Sequence, residues 1–335
     1  MSARSSARRA QVLVTVAPPP PMREAISATI GHLADVTFLA DLDPEARAKA
    51  LHAPDVVLAW MPEQELAGPD DYAGLGSARL LQLLSAGVDQ VPFSRIPQGV
   101  PVASNAGCYA GPMSEHVLAM SLALAKHLPQ RHADLCSGIF DQHTSNREIR
   151  GSVVSILGFG GIGRASGLLF RALGARVRAV ARAPIADEWV EYVGSLDALD
   201  AALEGADIVV VSLPLTRATR RLLGKRELSR MKSDAILVNV ARAAIVDEDA
   251  LYEHLVEHPT FQAGIDVWWD EPRGGRPFSP RLGFLDLANV LGSPHNSGIT
   301  DGSMLDAAYE AAANVARALK GEPIHHLVDR SDYEV

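Results

Sequence analysis

The sequence is poor in cysteine, with Cys108 and Cys136 alone among its 335 residues. Neither lies in a CxxC motif or a Cys/His cluster, so the sequence predicts no structural disulfide, no zinc site and no other metal site. Such sparse cysteine usage is typical of a protein kept in a reducing compartment. We therefore expect a cytoplasmic location.

Long apolar runs and an excess of basic charge are also missing. Val12–Ala17 is only as long as a strand, and the proline run Pro18–Pro21 stops it, so neither a signal peptide nor a transmembrane span is predicted. The formal net charge is −9. Because nucleic acids and membrane surfaces usually attract basic fields, this balance argues against both as partners.

The sequence does contain short apolar runs that alternate with longer amphipathic stretches, a pattern that favours an α/β fold with a mostly parallel sheet. The runs lack strict polar alternation, as expected of strands covered on both faces. The predicted strands are Gln11–Val16, Asp55–Trp60, Leu80–Ser85, Val153–Leu157, Val177–Ala181, Ile208–Leu213, Ile236–Val240 and Gln262–Val267. The clearest predicted helices are Met22–Leu33, Pro112–His127 and Asp301–Lys320, the last stopped by Gly321.

These elements form two strand–helix series, which indicates two Rossmann-like units with doubly wound parallel sheets. The second series begins near 108–151. Between the series, Pro129–Arg150 is polar and poorly periodic, and we interpret it as a linker or a functional arm.

A glycine-rich turn follows the predicted strand Val153–Leu157 directly. It reads Gly158-x-Gly160-x-x-Gly163 and runs into a predicted helix, the context that a dinucleotide-binding turn requires. The first glycine permits the tight turn, the second lets the backbone approach the pyrophosphate, and the third lets helix and strand pack closely. The helix N-terminus offers free N–H groups to the phosphates. A bound nicotinamide dinucleotide is therefore expected.

The end of the next strand bears on cofactor choice. An acidic residue there would bind the ribose 2′-hydroxyl of NAD, but the sequence has Ala181 followed by Arg182. Loss of the carboxylate removes repulsion of a 2′-phosphate, and the arginine offers a cation. NADP is thus the preferred prediction. The alternative is that Arg182 is a solvated charge and that the protein uses either cofactor.

Three ionisable residues, Arg242, Glu271 and His295, are each expected just after a strand, where ligands bind in a doubly wound sheet. Reduction of a carbonyl needs a proton donor, for which histidine is the usual choice, and a nearby carboxylate would hold the imidazolium. An arginine would grip a substrate carboxylate and polarise the carbonyl. Each residue taken alone also fits an ordinary structural or surface position, as does His116 in its predicted helix.

Seven segments, in this order, resemble the D-isomer-specific 2-hydroxyacid dehydrogenase family, and the resemblance covers roughly 85–320. They are SAGVD at Ser85–Asp89, NAGCYAGPMSEHVLAMSLAL at Asn105–Leu124, LGFGGIG at Leu157–Gly163, LPLTRATRRLLG at Leu213–Gly224, LVNVARAAIVDEDAL at Leu237–Leu251, GIDVWWDEP at Gly264–Pro272 and SPHNSG at Ser293–Gly298.

The resemblance implies roles for these residues. His295 would be the acid/base, Glu271 its partner, and Arg242 the residue that binds substrate. Backbone amides of Ala86, Gly87 and Val88 would help bind a substrate carboxylate, and Asp266 would contact the nicotinamide carboxamide. The implied cofactor site comprises Gly158, Gly160, Gly161, Ile162, Gly163, Arg182, Leu213, Pro214, Val240, Ala241, Arg242, Asp266, His295 and Ser297.

The family's architecture implies a cofactor domain, 105–293, inserted into a discontinuous substrate domain of 1–104 and 294–335. It also implies a homodimer built through the cofactor domains, and the polar arm is where we expect the contact. Two departures stand out. The usual glycine after the catalytic arginine is Ala243, which is tolerated if the backbone there is not left-handed. The usual acidic cofactor residue is Ala181.

The expected reaction is the reduction of a small 2-keto acid such as glyoxylate or hydroxypyruvate to its D-2-hydroxy acid. Relatives that oxidise formate carry an amide in place of the acid paired with the histidine, so Glu271 argues against formate. Relatives that oxidise phosphite use a lysine near the substrate loop, and the neighbours of Ser85 supply none. Two alternatives stay open: a bulkier hydroxy acid as substrate, or a cofactor-sensing corepressor that binds partner peptides.

Overall fold

The computed structural model describes residues 8–68, 70–184, 187–272 and 274–333. Its described residues form two compact units. The first comes from both ends of the chain, up to Cys108 and from Thr300, and the second is Tyr109–Ile299. The units therefore change a few residues later than the boundaries 104/105 and 293/294 expected from the sequence. Within the described ranges, no helix is both long and apolar enough to cross a membrane.

The first unit contains a parallel sheet of five strands in the order β2-β1-β3-β4-β5. The strands are β1 (Ala10–Val14), β2 (Ala34–Phe38), β3 (Val56–Ala59), β4 (Leu81–Leu83) and β5 (Val102–Ala103), and the helices are α1 (Pro20–Ile30), α2 (Pro44–Ala50), α3 (Pro62–Glu65) and the C-terminal α10 (Ser303–Lys320). Apolar side chains of β1 and β3 pack on α1 and α10, so the two ends of the chain share one core.

The second unit contains a parallel sheet of seven strands in the order β12-β11-β10-β9-β6-β7-β8. The strands are β6 (Val153–Leu157), β7 (Arg176–Val180), β8 (Tyr192–Gly194), β9 (Ile208–Val211), β10 (Ile236–Asn239), β11 (Gln262–Ile265) and β12 (Val290–Gly292), and the helices are α4 (Ala110–Ala125), α5 (Leu128–Cys136), α6 (Gly161–Ala172), α7 (Leu199–Leu203), α8 (Lys225–Arg230) and α9 (Glu248–Glu257). The order reverses between β6 and β9, and ligands bind beside such a reversal in sheets of this kind.

Both sheets are parallel and flanked by helices, as the sequence predicts, and β6 has the predicted bounds. Every residue of β6, β9, β10 and β11 is buried, which explains why these strands lack a polar alternation.

The arm contains a helix that the sequence did not predict. The stretch 129–150 was interpreted as a linker or a functional arm, and its first part forms helix α5. None of the residues of α5 is buried, so the helix has no core-facing apolar stripe for periodicity to reveal.

Candidate active site

The glycine turn joins β6 to α6, and each of the three glycines of its GxGxxG motif has a distinct environment. Gly158 has φ +101°, and a Cβ there would lie 2.6 Å from the backbone nitrogen of Leu213. At Gly163 a Cβ would overlap the carbonyl oxygen of Gly158. At Gly160, by contrast, a Cβ would meet no atom of the described residues within 4 Å. A tight turn, close helix packing and open space therefore occur where a pyrophosphate cradle needs them.

Helix α6 begins at Gly161, directly after this open space, so its first N–H groups and the positive end of its dipole face the same region. Gly161 is exposed and Ile162 is half-buried. The residues present thus fit the phosphates of a dinucleotide: the backbone offers donors and no side chain of Gly160 fills the space.

The loop after β9 contacts the glycine turn. Ser212 Oγ donates to the Gly158 carbonyl oxygen at 2.8 Å, and Leu213 is 7% exposed. Pro214 is exposed, and its carbonyl oxygen accepts from Thr219 Oγ1 at 2.6 Å. Leu213 and Pro214 are therefore held at the carboxyl edge of the sheet, next to the glycine turn.

The loop after β10 is fixed by one side chain. Asn239 Oδ1 accepts from the Ala241 N–H at 3.0 Å, and Asn239 Nδ2 donates to the Arg242 carbonyl oxygen at 3.1 Å. Val240 and Ala241 are buried, while Arg242 is half-buried with its Nη1 2.8 Å from the Ala241 carbonyl oxygen. Ala243 begins a 3₁₀ turn with right-handed backbone, so alanine at this position brings no left-handed strain.

Arg182 is exposed and lies in the bend that follows β7. Ala181 precedes it, and the Ala181 N–H donates to the Gly194 carbonyl oxygen at 2.8 Å. The neighbouring loop carries an acidic residue, Asp187, but its carboxylate forms an ion pair with Arg164. The end of β7 therefore presents an arginine in place of an acid.

His295 and Glu271 form a close pair. His295 Nδ1 lies 2.8 Å from Glu271 Oε1 and 2.9 Å from Oε2. The Trp268 N–H also donates to Glu271 Oε1, at 3.1 Å. Burial raises the pKa of Glu271, but the hydrogen bond and charge of His295, the Trp268 amide and the charge of Arg242 together bring it below its usual value. The carboxylate is thus ionised at neutral pH, beside the histidine and within the field of the arginine.

The backbone of His295 is left-handed, with φ +54°, a conformation that non-glycine residues rarely adopt. Its N–H donates to the Asp266 carbonyl oxygen at 2.8 Å. The Asp266 carboxylate accepts from the N–H groups of Asn296 and Ser297, both at 3.2 Å, and Ser297 is buried. Three hydrogen bonds to one residue therefore hold the loop that carries the histidine.

The carboxylate of Asp266 is buried among hydrogen-bond donors. The residue is 0% exposed, and its carboxylate oxygens accept from the N–H groups of Asn296 and Ser297 and from Ser293 Oγ. From the sequence, no role was predicted for Ser293, which lies in the SPHNSG segment. His116 was predicted to hold an ordinary position in its helix or at an interface. The structure places His116 Nε2 2.9 Å from Ser293 Oγ.

The predicted residues of the second unit thus gather after the carboxyl ends of its parallel strands. Ala86, Gly87 and Val88 lie in the first unit, immediately after β4 and Leu84-Ser85. Ser85 Oγ donates to the Gly87 carbonyl oxygen at 3.0 Å, which fixes the turn, and Val88 is buried. Ala86 and Gly87 are half-buried, so their amides lie near the surface of that unit.

Comparison with known proteins gives a consistent assignment. Residues 118–297, more than half of the 335-residue chain, match the family described as "D-isomer specific 2-hydroxyacid dehydrogenase, NAD binding domain". The chain is 31% identical over 268 residues to a glyoxylate reductase of Aeropyrum pernix, a match that covers 77% of this chain and 78% of that one.

A D-3-phosphoglycerate dehydrogenase of Methanocaldococcus jannaschii is 29% identical over 248 residues, or 72% of this chain. The match covers 46% of that relative, so the chain spans about half of its length. A crystal structure of a D-isomer specific 2-hydroxyacid dehydrogenase from Xanthobacter autotrophicus in complex with NADPH and MES has a TM-score of 0.79 and 28% identity, and the match covers 97% of this chain and 100% of that one. The chain belongs to the D-isomer-specific 2-hydroxyacid dehydrogenase family.

Proposed function

We propose that this chain is an NAD(P)-dependent oxidoreductase that interconverts a small 2-keto acid and its D-2-hydroxy acid. The observation that carries the proposal is the pair of His295 and Glu271, 2.8 Å apart, with the charge of Arg242 acting on the same carboxylate. An acid/base, an anion that stabilises its charged form and a cation for the substrate are the groups that carbonyl reduction needs. A binding module has no need for this combination.

In the proposed reaction Glu271 holds Nδ1 of His295, so the opposite ring nitrogen, Nε2, gives its proton to the carbonyl oxygen. Glu271 stabilises the imidazolium before the transfer. The Arg242 guanidinium binds the substrate carboxylate and polarises the carbonyl. A bound nicotinamide dinucleotide would supply the hydride, held by the glycine turn and by the loops after β9, β10 and β12.

The preferred cofactor in this proposal is NADP. The exposed guanidinium of Arg182 and the small side chain of Ala181 support it, because a 2′-phosphate would meet a cation and no carboxylate at the end of β7. The Xanthobacter relative was crystallised with NADPH, which agrees with this preference.

The substrate is a 2-keto acid with a small side chain, such as glyoxylate or hydroxypyruvate. The name of the Aeropyrum relative, glyoxylate reductase, supports this choice, and Glu271 in place of an amide argues against formate. A panel of 2-keto acids of graded side-chain size, assayed with NADPH and with NADH, tests the proposal. Activity that falls with side-chain size supports it, and a maximum at large side chains favours a bulkier substrate. Cofactor binding without turnover would favour a corepressor.

We also propose that the chain forms a homodimer through an apolar arm surface made of Leu128, Leu135, Ile139 and Phe140. These side chains are 57%, 57%, 55% and 74% exposed. They lie on α5 and the residues that follow it, and all but Leu128 fall within 129–150, where we expect the dimer contact. A second copy of the chain would remove this apolar surface from water.

A further inference from the structure

A chain of three polar side chains runs from helix α4 to the loop that carries His295. His116, on α4, has its Nε2 2.9 Å from Ser293 Oγ, and Ser293 Oγ donates to Asp266 Oδ1 at 2.5 Å. His116 Nε2 also lies 3.8 Å from Asp266 Oδ1. All three residues belong to the second unit. Neither the family resemblance nor the proposed reaction gives His116 or Ser293 a role.

The chemistry of the three groups fixes the direction of the hydrogen bonds. Burial raises the pKa of Asp266, but the hydrogen bonds of Ser293 and Ser297 and the charge of His116 bring it below its usual value, so its carboxylate accepts hydrogen bonds. A serine hydroxyl has one hydrogen, and Ser293 gives it to Asp266. Ser293 Oγ must therefore accept from His116, which requires a hydrogen on Nε2 in either charge state of the ring.

Asp266 in turn holds the backbone of the catalytic loop. Its main-chain oxygen accepts from the His295 N–H, and its two carboxylate oxygens accept from Asn296 and Ser297. The left-handed backbone of His295 is costly for a residue with a side chain, and it persists where surrounding contacts over-determine it. The buried carboxylate of Asp266 supplies such contacts only while it is itself held in place.

We propose that His116 is a positioning residue for His295. Through the Ser293 hydroxyl it fixes the Asp266 carboxylate, and Asp266 fixes the left-handed loop so that the ring of His295 meets Glu271. The kinetic consequence rests on the proposed function, because only turnover requires the ring to be in this position. The hydrogen-bond chain itself does not depend on which reaction is catalysed.

Four variants test the role: His116→Gln, His116→Leu, Ser293→Ala, and His116→Leu combined with Ser293→Ala. Glutamine keeps an N–H donor, whereas leucine has similar bulk without one. We expect His116→Leu to lower kcat by on the order of tenfold to a hundredfold with little change in KM, and His116→Gln to recover most of it. The double variant should be no worse than the more damaging single variant, because both break one chain.

A His116→Leu enzyme with normal kcat would overturn the proposal, and so would a His116→Gln enzyme as impaired as His116→Leu. It would also be overturned if the fold-reductions in kcat of His116→Leu and Ser293→Ala multiplied in the double variant. Thermal unfolding of each variant separates misplacement of His295 from loss of the fold.

Nuclear magnetic resonance of histidine-labelled protein tests the geometry without turnover. The chain has 11 histidines, and the His116 signals are identified by their loss in His116→Gln. At about pH 8, where ordinary imidazoles are neutral, we expect the His116 hydrogen on Nε2. The hydrogen-bonded Nδ1 proton of His295 should appear in the wild type and in His116→Gln, and should shift or broaden in His116→Leu. A hydrogen on Nδ1 of His116, or an unchanged His295 signal in the leucine variant, would overturn the proposal.

The two readouts separate this inference from the proposed function. If the wild type turns over no 2-keto acid but the His295 signal depends on His116 as expected, the reaction is wrong and the positioning role holds. If the wild type is active but the His295 signal is the same in the wild type and in His116→Leu, the proposed reaction stands and the positioning role fails.

Discussion

The imidazole of His295 and the carboxylate of Glu271 meet at 2.8 Å, although 23 residues separate them in the chain. They are brought together because β11 and β12 are neighbouring parallel strands whose carboxyl ends lie at one edge of the sheet. Glu271 is 36% and His295 38% exposed, so the pair is fixed by the protein on one side and open to an incoming molecule on the other.

Replacing Glu271 by glutamine should give a stability difference that depends on pH. The folded pKa of Glu271 is lowered, so its contribution is present above the ordinary carboxylate pKa and is lost as the pH falls through the folded value. The difference in unfolding free energy between the wild type and Glu271→Gln should be less than about 1 kcal/mol near neutral pH, because the pair is half-exposed, and should vanish in acid. Denaturant unfolding from about pH 7 down to about pH 3 measures it. A difference that is undiminished at about pH 3 would be contrary to this account.

The glycine turn allows a matched pair of substitutions. Gly160→Ala should fold with nearly wild-type stability, since a Cβ there meets no described atom, but should bind NADPH more weakly by on the order of tenfold or more. Gly163→Ala should instead lower stability by about 1–3 kcal/mol, because its Cβ would overlap the Gly158 carbonyl oxygen. Calorimetry and fluorescence titration separate the two effects. A Gly160→Ala protein that binds NADPH normally would argue against a pyrophosphate at this turn.

Cofactor preference should change at the end of β7. We expect Arg182→Ala to lower the ratio of kcat/KM for NADPH to that for NADH by about tenfold to a hundredfold, the value of one charged hydrogen bond. Ala181→Asp should lower the ratio further by repelling the 2′-phosphate. Arg178→Ala is a control, because Arg178 lies within β7, four residues before Arg182, and donates to the Glu204 carbonyl oxygen at 3.2 Å. If Arg182→Ala and Arg178→Ala change the ratio of kcat/KM values by the same factor, residues other than Arg182 determine the preference for NADP.

Oligomerisation should depend on the apolar arm surface. Light scattering after size exclusion should show a dimer for the wild type and a shift towards monomer for Phe140→Ser, which removes its most exposed side chain. Leu285→Ser is the control, since Leu285 is 53% exposed in the same unit but outside the arm. A monomeric wild type, or a Phe140→Ser protein that stays dimeric at all concentrations, would contradict the proposed contact.

The sequence predicted the interior strands of both sheets but none of their edge strands. The four strands it missed are β2, β5, β8 and β12, which are the two edges of each sheet. Edge strands pair on one side only and need less apolar surface. Here β5 has two residues, and all three residues of β12 are half-buried. Such segments lack the longer, mostly apolar runs from which β6 and β9 could be predicted.

The site was predictable in its residue types but not in its supporting contacts. Arg242, Glu271 and His295 could be proposed because carbonyl reduction requires an acid/base, a partner anion and a cation. The contact between His116 and Ser293 joins residues 177 positions apart and depends on how α4 packs against β11. No periodicity encodes that contact. The left-handed backbone of His295 likewise occurs beside hydrogen bonds to Asp266, a residue distant in the chain.

The central claim, that His295 transfers the proton, is tested most directly by the kinetics of His295→Asn with glyoxylate and NADPH. We expect kcat to fall by on the order of 10²–10⁴-fold, the usual contribution of a positioned general acid, while the dissociation constant for NADPH changes by less than about threefold. A variant that keeps wild-type turnover, with intact cofactor binding, would contradict the assignment of His295 and the mechanism built on it.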